Sequence, residues 1–166
     1  RKKNIFLKNI INYNFLGYGS LAMRRKIIPF FIKTVKEKAI IIDWYFALKY
    51  LLFYKRIKVI QCSKIFYRSH TENFLGPVRK VNAETIFNAI KYKMNTYSKL
   101  IVACNKFNIK KVFLFEKKLE EQKKLKQNLK IKKNLKNYIK AIKIDFLKKK
   151  CTYWFQEAYY NKILLN

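Results

Sequence analysis

The chain has 166 residues, and 39 lysines and arginines against 9 aspartates and glutamates give it a formal net charge of +30. Self-repulsion of that size opposes compaction in isolation and points to a polyanionic partner, nucleic acid first and an acidic membrane surface second. Hydrophobic residues make up 51% and aromatic residues 17%, which excludes a disordered basic tail and leaves enough material for a core.

In chain order, residues 1–16 read as a weak helix, with Ile5, Phe6, Leu7, Ile10 and Ile11 set between lysines and asparagines. Gly17-Tyr18-Gly19-Ser20 forms the clearest loop, because glycine admits backbone angles closed to other residues. Arg24-Arg25-Lys26 follows, and Pro29 stops any helix from running through that stretch. Ala39-Ile40-Ile41-Ile42 is a β-branched run predicted as a buried strand ending at Asp43.

Trp44, Ala47, Leu48, Leu51 and Leu52 then recur at helical spacing, and Ile57-Lys58-Val59-Ile60 reads as a second strand. Strand, helix and strand in close succession predict a βαβ unit and a parallel sheet. After a loop-like stretch over 63–81, Asn82 is placed to cap a helix whose apolar stripe is Ile86, Ala89, Ile90 and Met94. Leu100-Ile101-Val102-Ala103 and Val112-Phe113-Leu114-Phe115 are two further strand candidates. Over 116–150 there is no glycine or proline, and fourteen lysines face only Glu116, Glu120, Glu121 and Asp145. Leu125, Leu129, Leu135, Ile139, Ile142 and Phe146 mark one narrow face of what reads as a single long helix, too long to bury itself on a small domain. The aromatic stretch over 151–166 is expected to dock onto protein.

The residues that carry enzyme chemistry are sparse. Cys62, Cys104 and Cys151 are widely spaced and give neither a disulfide framework nor a metal knuckle, and His70 is the single histidine. No phosphate-binding glycine loop is present. Asp43 is the best acid–base candidate, against a plainer role at the start of the helix after it. The expectation is therefore no catalytic residue, no metal site and no cofactor. The apolar segment over 39–54 is too short and too charged, with Asp43 and Lys49, to span a bilayer, and no signal-peptide layout opens the sequence.

The cations are more informative. Arg24, Arg25 and Lys26 sit between a loop and a proline, where guanidinium forks can meet phosphates in bidentate fashion. Lys33 lies a few residues on, and Arg79 and Lys80 form a second cluster just after Gly76-Pro77. Lys123, Lys124, Lys126, Lys130, Lys132, Lys133 and Lys136 surround the long helix nearly all round, which suits an RNA groove. The plainer reading of each is a solvated face.

Five segments, in order, also resemble a known family. They are Phe15-Leu16-Gly17-Tyr18; Arg24-Arg25-Lys26-Ile27-Ile28-Pro29-Phe30-Phe31; Ala39-Ile40-Ile41-Ile42-Asp43-Trp44; Arg56-Ile57-Lys58-Val59-Ile60-Gln61-Cys62-Ser63-Lys64; and Phe74-Leu75-Gly76-Pro77 with Asn82, Thr85, Ile86, Ala89 and Ile90. Over about residues 14–94 the chain resembles the universal small-subunit ribosomal protein S-two family, with the family's histidines replaced. The resemblance implies an α/β domain with a protruding helical hairpin, bound to small-subunit ribosomal RNA. Pattern and resemblance together predict a small parallel sheet with flanking helices, a partial flavodoxin-like domain, over 1–115. A basic helical extension with an aromatic tail is expected over 116–166.

Lys, Ile, Asn, Phe and Tyr dominate while glycine and proline number 3 and 2, the pattern of an A+T-rich organellar gene. The function expected is thus a structural constituent of the mitochondrial small ribosomal subunit, in the matrix. Its partners would be ribosomal RNA, neighbouring ribosomal proteins and, as an open alternative, a second chain completing the fold, with no membrane. A large-subunit mitochondrial ribosomal protein and a matrix-facing accessory subunit of a membrane complex are the rival readings.

Overall fold

A computed structural model describes residues 3–12, 22–54, 56–59 and 81–147. Helices take 75% of them, and the one sheet has two antiparallel strands. The strands are β1 (Lys3–Ile5) and β2 (Ile57–Val59), in the register Lys3 to Val59, Asn4 to Lys58 and Ile5 to Ile57. The helices are α1 (Leu7–Ile10), α2 (Ile28–Val35), α3 (Ile42–Tyr54), α4 (Ala83–Lys106), α5 (Val112–Asn128) and α6 (Lys132–Leu147).

This overturns the expected α/β fold: among the described residues there is no parallel sheet with flanking helices. Three strand assignments fail: two of the runs lie in helices, since a short apolar run does not distinguish a strand from a segment of buried helix, and the third is irregular chain leading into α3. Ala39, Ile40 and Ile41 precede α3, whose first residue is Ile42. Leu100 to Ala103 continues the helical stripe of α4, in which Ile86, Ala89, Ile90, Lys93, Thr96, Tyr97, Leu100, Ala103 and Cys104 are buried at steps of mostly three or four. Val112 to Phe115 opens α5. At the chain start, residues 3–5 pair with β2, and the weak helix expected there shrinks to the single turn of α1.

The hub of the fold is α3, which is apolar on nearly every side because α1, α2 and α4 all pack on it. Trp44, Ala47 and Leu48 have no exposed surface. The indole Nε1 of Trp44 donates to the carbonyl of Ile10 at 2.7 Å, and its ring meets Tyr97 edge-on with centroids 5.7 Å apart. Tyr97 in turn donates its hydroxyl to the carbonyl of Ile11 at 2.7 Å. Two hydrogen bonds from two helices thus hold the N-terminal segment on the core. Asp43 is buried in the first turn of α3, where its carboxylate accepts the Trp44 N–H at 2.7 Å and complements the positive end of the helix.

Helix α4 begins where the sequence predicts. Asn82 Oδ1 accepts the Thr85 N–H at 2.8 Å, and the Asn82 N–H donates to Thr85 Oγ1 at 3.1 Å, a reciprocal cap with threonine in the acceptor position. The same helix ends in a Schellman motif. Asn108 takes a left-handed backbone (φ 51), the Ile109 N–H donates to the Cys104 carbonyl at 2.9 Å, and the Asn108 N–H to that of Asn105 at 3.3 Å. That reversal folds α5 back along α4 as a helical hairpin, with Phe115, Gln122 and Leu125 buried.

The single long helix expected over 116–150 is also corrected. The chain breaks at Leu129, Lys130 and Ile131, between α5 and α6, although neither glycine nor proline is there. Asn134 Nδ2, from the first turn of α6, donates to the carbonyl of Asn128 at 3.3 Å and to its side-chain oxygen at 2.6 Å, capping the end of α5. Leu125, Leu129, Tyr138 and Ile142 join the same hydrophobic cluster as Trp44 and Tyr97, so the apolar stripe is packed on the core and does not project alone.

Candidate nucleic-acid interface

The first cation cluster sits on a rigid mount. Arg24 precedes a 3-10 turn, Arg25–Ile27, that leads directly into α2, and Pro29 occupies the first turn of that helix, where its missing N–H costs nothing. Ile27 is buried, while Arg24, Arg25 and Lys26 are all exposed. Helix α2 is clamped to α3 through Phe30, whose ring lies 5.6 to 6.4 Å from those of Phe46, Tyr50, Phe53 and Tyr54. Phe31 adds an edge-on contact with Phe46 at 4.9 Å.

The second group lies on the other side of the chain order. Lys123, Lys124 and Lys126 line the last turns of α5, Lys130 lies in the break, and Lys132, Lys133 and Lys136 open α6. All seven are exposed. Of these seven, only Lys123 meets an acid among the described residues, Glu120 at 3.9 Å, a surface pair of little energetic weight. Arg79 and Lys80, with Gly17, Gly76, Pro77, His70, Cys62 and Cys151, lie outside the described residues.

Lys33 is exposed on α2 and belongs to a different place, a groove of about 460 Å³ that sequence reasoning missed. Lys33 and Glu37 form one wall, Tyr45 of α3 contributes from beneath, and Asn95, Ser98, Lys99, Val102, Ala103, Lys106 and Phe107 form the other wall. Asn95, Lys99, Val102 and Lys106 follow one another at steps of four, three and four, so the stripe was legible once 83–106 is taken as a helix.

Glu37, which lines the groove, is heavily bonded. Its carboxylate accepts the Tyr45 hydroxyl and the Lys49 ammonium, and its backbone carbonyl accepts Lys99 Nζ at 2.7 Å. Partial burial pushes the Glu37 carboxyl up, but hydrogen bonds from Lys49 and Tyr45 and the charges of Lys49 and Lys99 outweigh it and hold the group below the ordinary carboxylate range. Burial, and then the bond to Glu37, push the Tyr45 phenol up. Lys49 itself is 3% exposed and lies 5.6 Å from the ring centroids of Phe30 and Tyr45.

A folded-state carboxyl held low stabilises the fold above the unfolded value, and that contribution disappears as pH falls through the folded value. The expected result is that Glu37→Gln destabilises the protein at neutral pH, and that the gap to wild type narrows as pH falls below the ordinary carboxylate value. Urea melts from neutral pH into the acid range check it, and a gap independent of pH would contradict the assignment.

Among the described residues no group of three or more His, Cys, Asp or Glu side chains could hold a metal ion. Cys104 is buried and its thiol is pushed up by that burial, which suits a packing role. No described helix is long and apolar enough to cross a membrane. No protein-family model, curated protein or solved structure matches the chain.

Proposed function

We propose that this chain is a structural RNA-binding protein of a mitochondrial small ribosomal subunit. The observation that carries the reading is the row of exposed lysines, Lys123 to Lys136, on α5, the break and α6, nearly all without an acidic neighbour among the described residues. Cations held that way by a packed scaffold release counterions when they meet phosphates. Arg24, Arg25 and Lys26 supply a second contact, and arginine forks there suit the phosphates of a folded RNA. The scarcity of acids, 9 in 166 residues, favours selection for positive charge over drift, because acidic codons also tolerate A and T.

The S-two family remains our reading of the ancestry. It rests on the ordered sequence segments, among them Asn82 with Thr85, Ile86, Ala89 and Ile90, which open the capped helix α4; the α/β domain that the resemblance implies is not what the described residues form.

The experiment is gradient sedimentation of the native protein from mitochondrial lysate, detected by antibody before and after ribonuclease treatment. Co-migration with the small-subunit particle, lost on ribonuclease digestion, is expected. Recovery in the large-subunit peak or in a membrane fraction would overturn the reading.

A further inference from the structure

We propose that the groove between α2 and α4 takes one unpaired RNA base, with its flanking phosphates held by Lys33 and Lys106. The inference rests on the RNA-binding reading and gives that reading a second, base-dependent contact distinct from the lysine row.

The groove has the size of a small-molecule site, about 460 Å³ against the roughly 300 to 1,000 Å³ typical of such pockets. Its walls are apolar where α4 ends. Val102 is 68% exposed and Phe107 is 44% exposed, unusual values for large apolar side chains beside a cavity. Phe107 is not loose, since its ring stands edge-on to Phe53 with centroids 5.3 Å apart. An aromatic ring fixed by its neighbour and open to solvent is a platform on which a base can stack, and every base offers a π-face to it.

The charge around this platform selects the occupant. Lys33 of α2 and Lys106 of α4 both line the groove and are exposed, so phosphates flanking an inserted ring have two ammonium groups to meet. Lys99 is committed to the Glu37 carbonyl, and the Glu37 charge is matched by Lys49. The groove therefore presents net positive charge around an apolar floor. An apolar peptide would leave the two rim lysines unmatched, whereas a nucleotide carries a flat ring and phosphates together. Polar groups for a base edge are also present: Asn95 Oδ1 accepts the Ile40 N–H at 3.2 Å, which orients its amide nitrogen as a donor, and Ser98 is exposed nearby.

The test uses the full chain and two fluorescent RNA oligomers of equal length, hexauridine and its abasic counterpart, followed by anisotropy at fixed salt. Hexauridine is expected to bind about tenfold more tightly than the abasic chain, the scale of one good stacking contact. Phe107→Ala and Phe107→Leu, the second keeping an apolar side chain against Phe53 without an aromatic face, should each remove that preference while leaving abasic binding unchanged. Lys33→Gln with Lys106→Gln should weaken both oligomers alike. Circular dichroism checks that each variant is folded. Equal binding of the two oligomers by wild type, or a preference that survives both Phe107→Ala and Phe107→Leu, overturns the proposal. Competition at the groove by an acidic peptide, without base preference, would assign it to a protein neighbour and overturn it equally. Loss of the preference alone leaves salt-dependent binding of folded RNA in place, whereas failure of the RNA-binding reading would abolish both.

Discussion

Trp44→Ala is expected to abolish the cooperative melt of this chain near physiological temperature. Truncating a fully buried tryptophan costs about 3–5 kcal/mol in transfer and cavity terms, and Trp44 has no exposed surface. The substitution also strands the Ile10 carbonyl, whose residue is equally buried and which accepts the indole N–H at 2.7 Å. An orphaned buried acceptor adds about 1–3 kcal/mol. Small domains hold only about 5–15 kcal/mol in total, so the combined loss approaches the whole. Two gentler variants separate the contributions. Trp44→Phe keeps much of the ring and loses the donor, and Tyr97→Phe removes only the hydroxyl that reaches Ile11 at 2.7 Å. Each should lower the urea midpoint measurably with little change in the slope. Should Trp44→Ala melt within about 1 kcal/mol of wild type, α3 would not be the hub described above.

What the sequence made legible was local. Asn82 caps α4 because a cap is decided by residues three apart, and those residues are visible without any tertiary knowledge. Exposed cations were legible for the same reason, since a lysine run seldom finds enough acids to bury it. The errors were all questions of period and context. Leu100 to Ala103 is four apolar residues in a row, which suits a buried strand; in α4 two of them are buried while Val102 points outward. The β-branched run before Asp43 misled differently: Ala39 to Ile41 are irregular chain packed on the core ahead of α3, and burial alone gives such a segment the composition of a strand. The break after Asn128 was invisible because its cause is a contact between Asn128 and Asn134 and the packing of Leu129, with no glycine or proline to mark it. The groove was out of reach altogether: Lys33 and Lys106 are 73 positions apart in the sequence, and only the packing of α2 and α4 against α3 makes them two sides of one place.

Replacing Lys123, Lys124, Lys126, Lys130, Lys132, Lys133 and Lys136 together by glutamine should reduce affinity for small-subunit RNA by at least about a hundredfold at roughly 0.1 M salt. The reasoning is electrostatic. Each lysine that neutralises a phosphate contributes about 0.7 to 0.9 to the slope of log affinity against log salt, so seven full contacts would carry a slope of about 5 to 6. The variant should lose most of that slope as well as the affinity, and the two losses must occur together if counterion release is the mechanism. The fold should survive, since all seven side chains are exposed and glutamine is as acceptable in a helix as lysine. The one ion pair removed, Lys123 with Glu120 at 3.9 Å, is worth little on an exposed helix. Replacing Arg24, Arg25 and Lys26 by glutamine gives the comparison: three charges instead of seven should flatten the slope by less than half as much. A septuple variant that melts like wild type and binds RNA with unchanged affinity and slope would mean that the lysines of α5 and α6 are a solvated face, and the weight of the RNA contact would then rest on the arginine cluster.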